Sequence, residues 1–134
     1  MKKYFIHCSI KGEELVLDQI KKDIPLKADL YEKGKVYVGK YNKKHYHPQK
    51  TNRWICSWES NNKENINALI KRMYEDIRPY LKAVQVYSRK FNSILEIVIY
   101  MDENTSRFNV KLSKQSIKIL DMLNVKFSLT FVDF

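Results

Sequence analysis

His45 and His47 stand one residue apart in the segment GKYNKKHYHPQKTNRWICSW, residues 39–58. In an extended backbone both imidazoles would project to the same side, and imidazole pairs bind Zn²⁺. A structural zinc takes four protein ligands, and a catalytic one takes three plus water. The further imidazole and thiol donors are His7, Cys8 and Cys56. Both cysteines lie in alternating apolar runs that turn them toward a core. No metal site and no cofactor is therefore expected. Nucleophilic chemistry is no better supplied. Cys56 sits between Trp54 and Trp58, where a thiol acts as a small hydrophobe. No Gly-x-Ser-x-Gly turn occurs, and three glycines build no phosphate-cradling loop. Asp102 and Glu103 are adjacent carboxylates whose setting reads as a solvated turn. The chain is expected not to be an enzyme.

The same segment suits an anionic partner better. Lys40, Lys43, Lys44, Lys50 and Arg53, with His45 and His47, can contact phosphates or carboxylates. Tyr41, Tyr46 and Trp54 offer faces on which bases could stack. The net charge is +10, and residues 27–57 hold eight cations against two carboxylates. More than half of the excess charge thus sits in that stretch, which suggests a localised anionic partner. The competing reading is a solubilising surface. Most of the cations are lysines, which grip phosphate less specifically than arginine does.

Those residues must be held by elements that the hydropathy pattern outlines. YFIHCSI, residues 4–10, alternates as a strand does: Tyr4, Ile6, Cys8 and Ile10 take one face, and Phe5, His7 and Ser9 the other. GEELVLDQIKKDIP, residues 12–25, predicts a short helix with Glu13 and Glu14 in its first turn, Lys21 and Lys22 in its last, and Pro25 as its stop. LYEKGKVYVGKY, residues 30–41, predicts a hairpin turning at Gly34. Residues 40–52 lose apolar periodicity and read as a loop. RWICSWES, residues 53–60, resumes as a strand with Trp54, Cys56 and Trp58 on one face.

Asn61 is placed to cap the next helix, with Glu64 three residues on. Ile66, Leu69, Ile70, Met73, Tyr74 and Ile77 form the clearest helical stripe in the chain. Pro79 either kinks that helix or opens a second one. SILEIVIYM, residues 93–101, is a strand with apolar residues on both sides: Leu95, Ile97 and Ile99 on one, Ile94, Val98 and Tyr100 on the other. Both faces are expected to be covered. FNVKL, residues 108–112, reads as a short strand, and Ser113 as the cap of a helix. VKFSLTFVDF, residues 125–134, alternates with Val125, Phe127, Leu129 and Phe131 directed inward.

This order predicts a single α+β domain spanning residues 1–134: a mostly antiparallel sheet with helices packed on one face, a ferredoxin-like variant. Two cysteines fit a reduced, cytoplasmic protein, and no apolar run has the length of a membrane span. The basic start at Lys2 and Lys3 meets Glu13, Glu14 and Asp18 too soon to be a secretory signal.

From WICSWES onward the order of features resembles the bacterial family called domain of unknown function 4279. The family's Trp-x-x-Ser strand falls at Trp58 to Ser60, one residue short. Its aromatic-ended strand falls at Leu95 to Tyr100, its acidic turn at Asp102-Glu103, its Leu-x-Leu-Ser helix start at Val110 to Ser113, and its alternating last strand at Val125 to Val132. YEKGK, residues 31–35, matches the family's Arg-Lys-Gly turn with Glu32 in place of the arginine, and Lys11-Gly12 stands where an Asp-Pro opening is common. The resemblance implies a small bacterial α+β protein with no established activity and no catalytic residues to carry over. Some members lie near toxin genes, which implies an immunity-like role.

The expected function is thus a non-catalytic protein-interaction module, immunity-like. Its partner would be a toxin, or a second copy in a homodimer, and its interface Ile94, Val98 and Tyr100. The alternative is a nucleic-acid-binding protein that uses the basic loop from Lys40 to Arg53. Nuclease inhibitors that mimic nucleic acid are acidic, so this basic chain would need an acidic partner surface or would use its near-neutral C-terminal part. No membrane partner is expected.

Overall fold

The computed structural model describes residues 3–37, 48–101 and 110–133. Its elements are β1 (Lys3–Gly12), α1 (Leu17–Asp23), β2 (Asp29–Tyr31), β3 (Asn52–Glu59), α2 (Ile66–Ile77), α3 (Leu81–Lys90), β4 (Asn92–Met101), α4 (Lys114–Leu123) and β5 (Lys126–Asp133). A 3-10 turn, Arg78–Tyr80, joins α2 to α3 with Pro79 in its first positions, where a missing N–H costs nothing.

The five strands form one sheet in the order β2-β3-β1-β4-β5. β1 runs antiparallel to β3 and β4, and β2 antiparallel to β3. The first four strands and their helices therefore make the split βαβ arrangement of ferredoxin-like folds. α4 and β5 add a crossover unit that lays β5 parallel beside β4. The α+β class and the mostly antiparallel sheet read from the sequence are thus the observed ones.

Alternation decides which face is buried. The register puts Cys8 against Cys56 and Leu95, and Ile6 against Trp58 and Ile97. These residues share the helix-covered side, where Ile6, Cys8, Leu95 and Ile97 are wholly buried. The α2 stripe of Leu69, Ile70, Met73 and Ile77 packs over them, joined by Val84, Ile119 and Leu123 from the following helices. Trp58 buries its ring and donates its indole N–H to Asp76 Oδ2 at 2.8 Å, so the polar end is satisfied. α2 is also tied to the end of β3. Arg72 Nε donates to Glu64 Oε2 at 3.1 Å, and Arg72 reaches the carbonyl of Glu59. The hydrogen bonds from Arg72 hold the Glu64 carboxyl below the usual carboxylate range.

Several local expectations are corrected. The first helix starts at Leu17, so Glu13 and Glu14 precede it and only Asp18 lies in its first turn. Asn65, not Asn61, caps α2, its side chain accepting from Ala68 N at 2.8 Å. Asn61 instead donates its backbone N–H to Glu64 Oε1 at 3.0 Å. Gly34 does turn the chain, with φ +86°. Gly34 N donates to Gln49 O, and Gln49 N to Lys35 O, each at 2.9 Å, while the far arm of the expected hairpin, from residue 38 on, lies outside the described residues. Val110 to Leu112 are not a strand; Asn67 on α2 holds them, donating to Lys111 O and accepting from Ser113 N. Ser113 caps α4 as expected, and Asn124 ends it in the left-handed conformation.

Two corrections bear on function. Among the described residues no helix packs on the second face of β4, the side bearing Ile94, Val98 and Tyr100. Phe127, Leu129 and Phe131 lie on the helix side of β5, yet they are 41%, 39% and 49% exposed. The described helices pack chiefly over β1, β3 and β4, and β5 lies beyond them.

Candidate functional site: the open face of the sheet

Period two sends every second residue of β1, β3 and β4 away from the helices. Register then decides which of these meet. Ser57, His7 and Glu96 fall in one row across β3, β1 and β4, and Ile55, Ser9 and Ile94 in the next. Phe5 lies between Glu59 and Val98 in a third, and Lys3 stands opposite Tyr100. The three proposed interface residues, Ile94, Val98 and Tyr100, do share this face, and β1 brings Phe5 beside them.

Polar contacts order the surface. His7 Nδ1 lies 2.7 Å from Ser57 Oγ. Arg53 donates from Nε to Ser9 Oγ at 3.1 Å, which folds the guanidinium over a hydroxyl that is itself buried. Phe5 packs edge-on to Tyr100 with ring centroids 5.3 Å apart and stacks on His7 at 6.1 Å. Lys3 forms an ion pair with Glu59 and sits over the Phe5 ring. His7, Ser9, Arg53, Ile55, Ile94 and Glu96 line a shallow depression of about 250 Å³. Val98 is 6% exposed, and Phe5, Ile55, Ile94 and Tyr100 are half-buried.

Ser57, His7 and Glu96 match by type a nucleophile, a base and an orienting carboxylate, but their setting does not suit acyl transfer. Backbone N–H groups of a sheet point within its plane, so an oxyanion forming above Ser57 would meet none from these strands. What the face offers is a mixture of half-buried aromatic and aliphatic surface, one ordered arginine and balanced charge. Aromatic residues and arginine are the types enriched at interface centres, whereas charge is depleted there.

The basic loop fares differently. Lys40, Lys43, Lys44, His45 and His47 lie outside the described residues. Lys50 is exposed at the bend before β3. Arg53 belongs to the open face through Ser9, so it does not project as a free loop cation. The described cations are not confined to one rim: Lys21, Lys71, Arg78, Lys82, Arg89, Lys114 and Lys118 are all exposed on the helical side. Among the described residues no group of three or more His, Cys, Asp or Glu side chains could hold a metal ion, and no helix is long and apolar enough to cross a membrane. A second concavity of about 670 Å³ beside α1 is lined by Glu13, Glu14, Asp18 and Glu32 among others, an acidic hollow in a basic chain.

Sequence pattern had separated Phe5, His7 and Ser9 from the core face. It did not join them to Ser57 and Glu96, because the register between strands some fifty and ninety residues apart leaves no local trace. Comparison with curated proteins and comparison with solved structures each gave no match. The pattern of a domain of unknown function, DUF4279, matches residues 2–133, nearly the full length. The chain belongs to the DUF4279 family.

Proposed function

We propose that the chain is a non-catalytic, cytoplasmic protein-interaction module that docks a partner protein on the open face of its sheet. The observation that carries this reading is the patch of Phe5, Ile94, Val98 and Tyr100, which no described element covers and which charged groups of both signs, Lys3, Arg53, Glu59 and Glu96, surround. An apolar centre supplies affinity by desolvation, while a rim of both signs fixes orientation. The near balance of charge on this face favours a protein over a polyanion, although the whole chain is basic. In the immunity-like form of this reading the partner is a toxin, and docking occludes its working surface.

Ile94→Asp places a charge in the patch, beside Ile55 and Ser9, while leaving the helix-side core intact. Co-purification from the native cell, with wild type and variant side by side, tests the proposal. A protein recovered with wild type and lost with Ile94→Asp supports it. A partner retained by the variant overturns it. So does recovery of nucleic acid in place of protein, with an affinity that falls steeply as salt rises.

A further inference from the structure

β5 ends the sheet, and among the described residues no strand pairs with its outer side. Natural edge strands are commonly guarded by inward lysines, prolines or bulges. Over KFSLTFVD the one cation is Lys126, at the first position, and there is no proline. The apolar residues of this edge, Phe127, Leu129 and Phe131, remain 41%, 39% and 49% exposed. Their order reads the same in both directions about Leu129.

We propose that β5 is a homodimer interface: two copies pair their β5 edges antiparallel about a two-fold axis at Leu129 and form one continuous sheet. A two-fold interface requires that if residue i meets j, then j meets i. Antiparallel partners must also lie on the same face of the sheet. Centring the axis on Leu129 meets both conditions. Phe127 faces the second copy's Phe131, Leu129 faces its own equivalent, and on the other face Ser128 meets Thr130 and Lys126 meets Val132.

Charge selects the same arrangement. Antiparallel pairing carries the two Lys126 side chains to opposite ends, each against an uncharged residue, whereas parallel pairing would set them side by side. The exposed remainder of the three apolar side chains amounts to roughly 250 Å² per copy, or about 500 Å² for the pair. That is below a standard interface of ~1,600 Å², so the dimer is weak even with the ladder hydrogen bonds of an eight-residue edge. Each copy carries +10, so added salt screens their repulsion and strengthens the association.

Sedimentation velocity of the full chain from about 5 µM to about 500 µM tests the proposal, this being the range in which so small an interface should dissociate. A concentration-dependent shift from monomer to dimer that salt enhances is expected. Leu129→Lys sets like charges on the axis and should abolish the shift. A second pair of variants reads register without depending on that one. In Leu129→Cys the introduced thiols face each other, and added oxidised glutathione, itself reduced in the exchange, joins them as a covalent dimer. In Lys126→Cys they are held roughly 20 Å apart and stay free. A wild type that stays monomeric throughout overturns the proposal, as would happen if the edge served only another protein's strand. Dimerisation unchanged in Leu129→Lys, or equal crosslinking in the two cysteine variants, also overturns it. The open face lies elsewhere on the sheet, so its partner should bind Leu129→Lys as it binds wild type.

Discussion

At the scale of single residues, Cys8 and Cys56 carry the clearest physical consequence. They are direct partners across β1 and β3, both turned into the core. Burial, reinforced by the neighbouring thiol, pushes Cys8 up to about 12, and burial with the nearby Asp76 does the same for Cys56. Thiolates are therefore scarce, and an aromatic disulfide reagent at pH 8 should label neither cysteine until denaturant is added; prompt labelling of the native protein would contradict this burial. Tyr87 behaves alike. Burial, together with its 2.6 Å hydrogen bond to Asp23 Oδ2, raises its phenol to about 12. All three groups have folded values above their unfolded ones, 9.0 for the thiols and 10.0 for the phenol. Their stabilising contribution is complete below about pH 9 and drains away as pH rises toward 12, because the unfolded chain loses these protons first. Melting temperature measured against pH should fall over that window, and Tyr87→Phe should flatten the upper part of the fall. The inward direction of both cysteines was legible from alternation. The Tyr87–Asp23 contact was not, since it joins residues 64 apart on two helices.

At the scale of elements, the sequence was most informative where one period ran long. The stripe from Ile66 to Ile77 marked α2 without ambiguity, but its start was misplaced by four residues. Asn61 and Asn65 are both good caps by type. What decides between them is that Asn65 sits one residue before the first buried stripe position, with its side chain on Ala68 N. Asn65→Ala should cost about 1 kcal/mol in urea unfolding, and Asn61→Ala markedly less. Equal losses would mean that the box formed by Asn61 and Glu64 carries the helix start. β5 shows the opposite difficulty. Its alternation correctly assigned Phe127, Leu129 and Phe131 to the helix side, but period two reports the side and not whether a helix reaches it. The stretch 94–101 carries the same ambiguity, since apolar residues on its second face indicate burial by neighbouring strands as readily as cover by another layer.

At the scale of the molecule, fold class and family were readable, because both depend on the order of periodic segments. The candidate face was not, because it depends on which strands become neighbours. α4 and β5 are an integral part of the fold: Ile119 and Leu123 are 3% and 0% exposed within the common core, and β5 flanks Leu95, Ile97 and Ile99. A chain ended before Ser113 should lose cooperative thermal unfolding; a sharp transition retained without them would show that the four-strand unit stands alone. The position of β1 has a further consequence, for synthesis. The strand made first is the middle rail of the sheet, and its two neighbours, β3 and β4, are translated only afterwards. The ribosome must therefore release the chain through Glu59 before the first central ladder can close, and through Met101 before the second. Until then a sticky, half-made β1 waits exposed, and slowing elongation between β1 and β4 should lower the soluble yield rather than raise it.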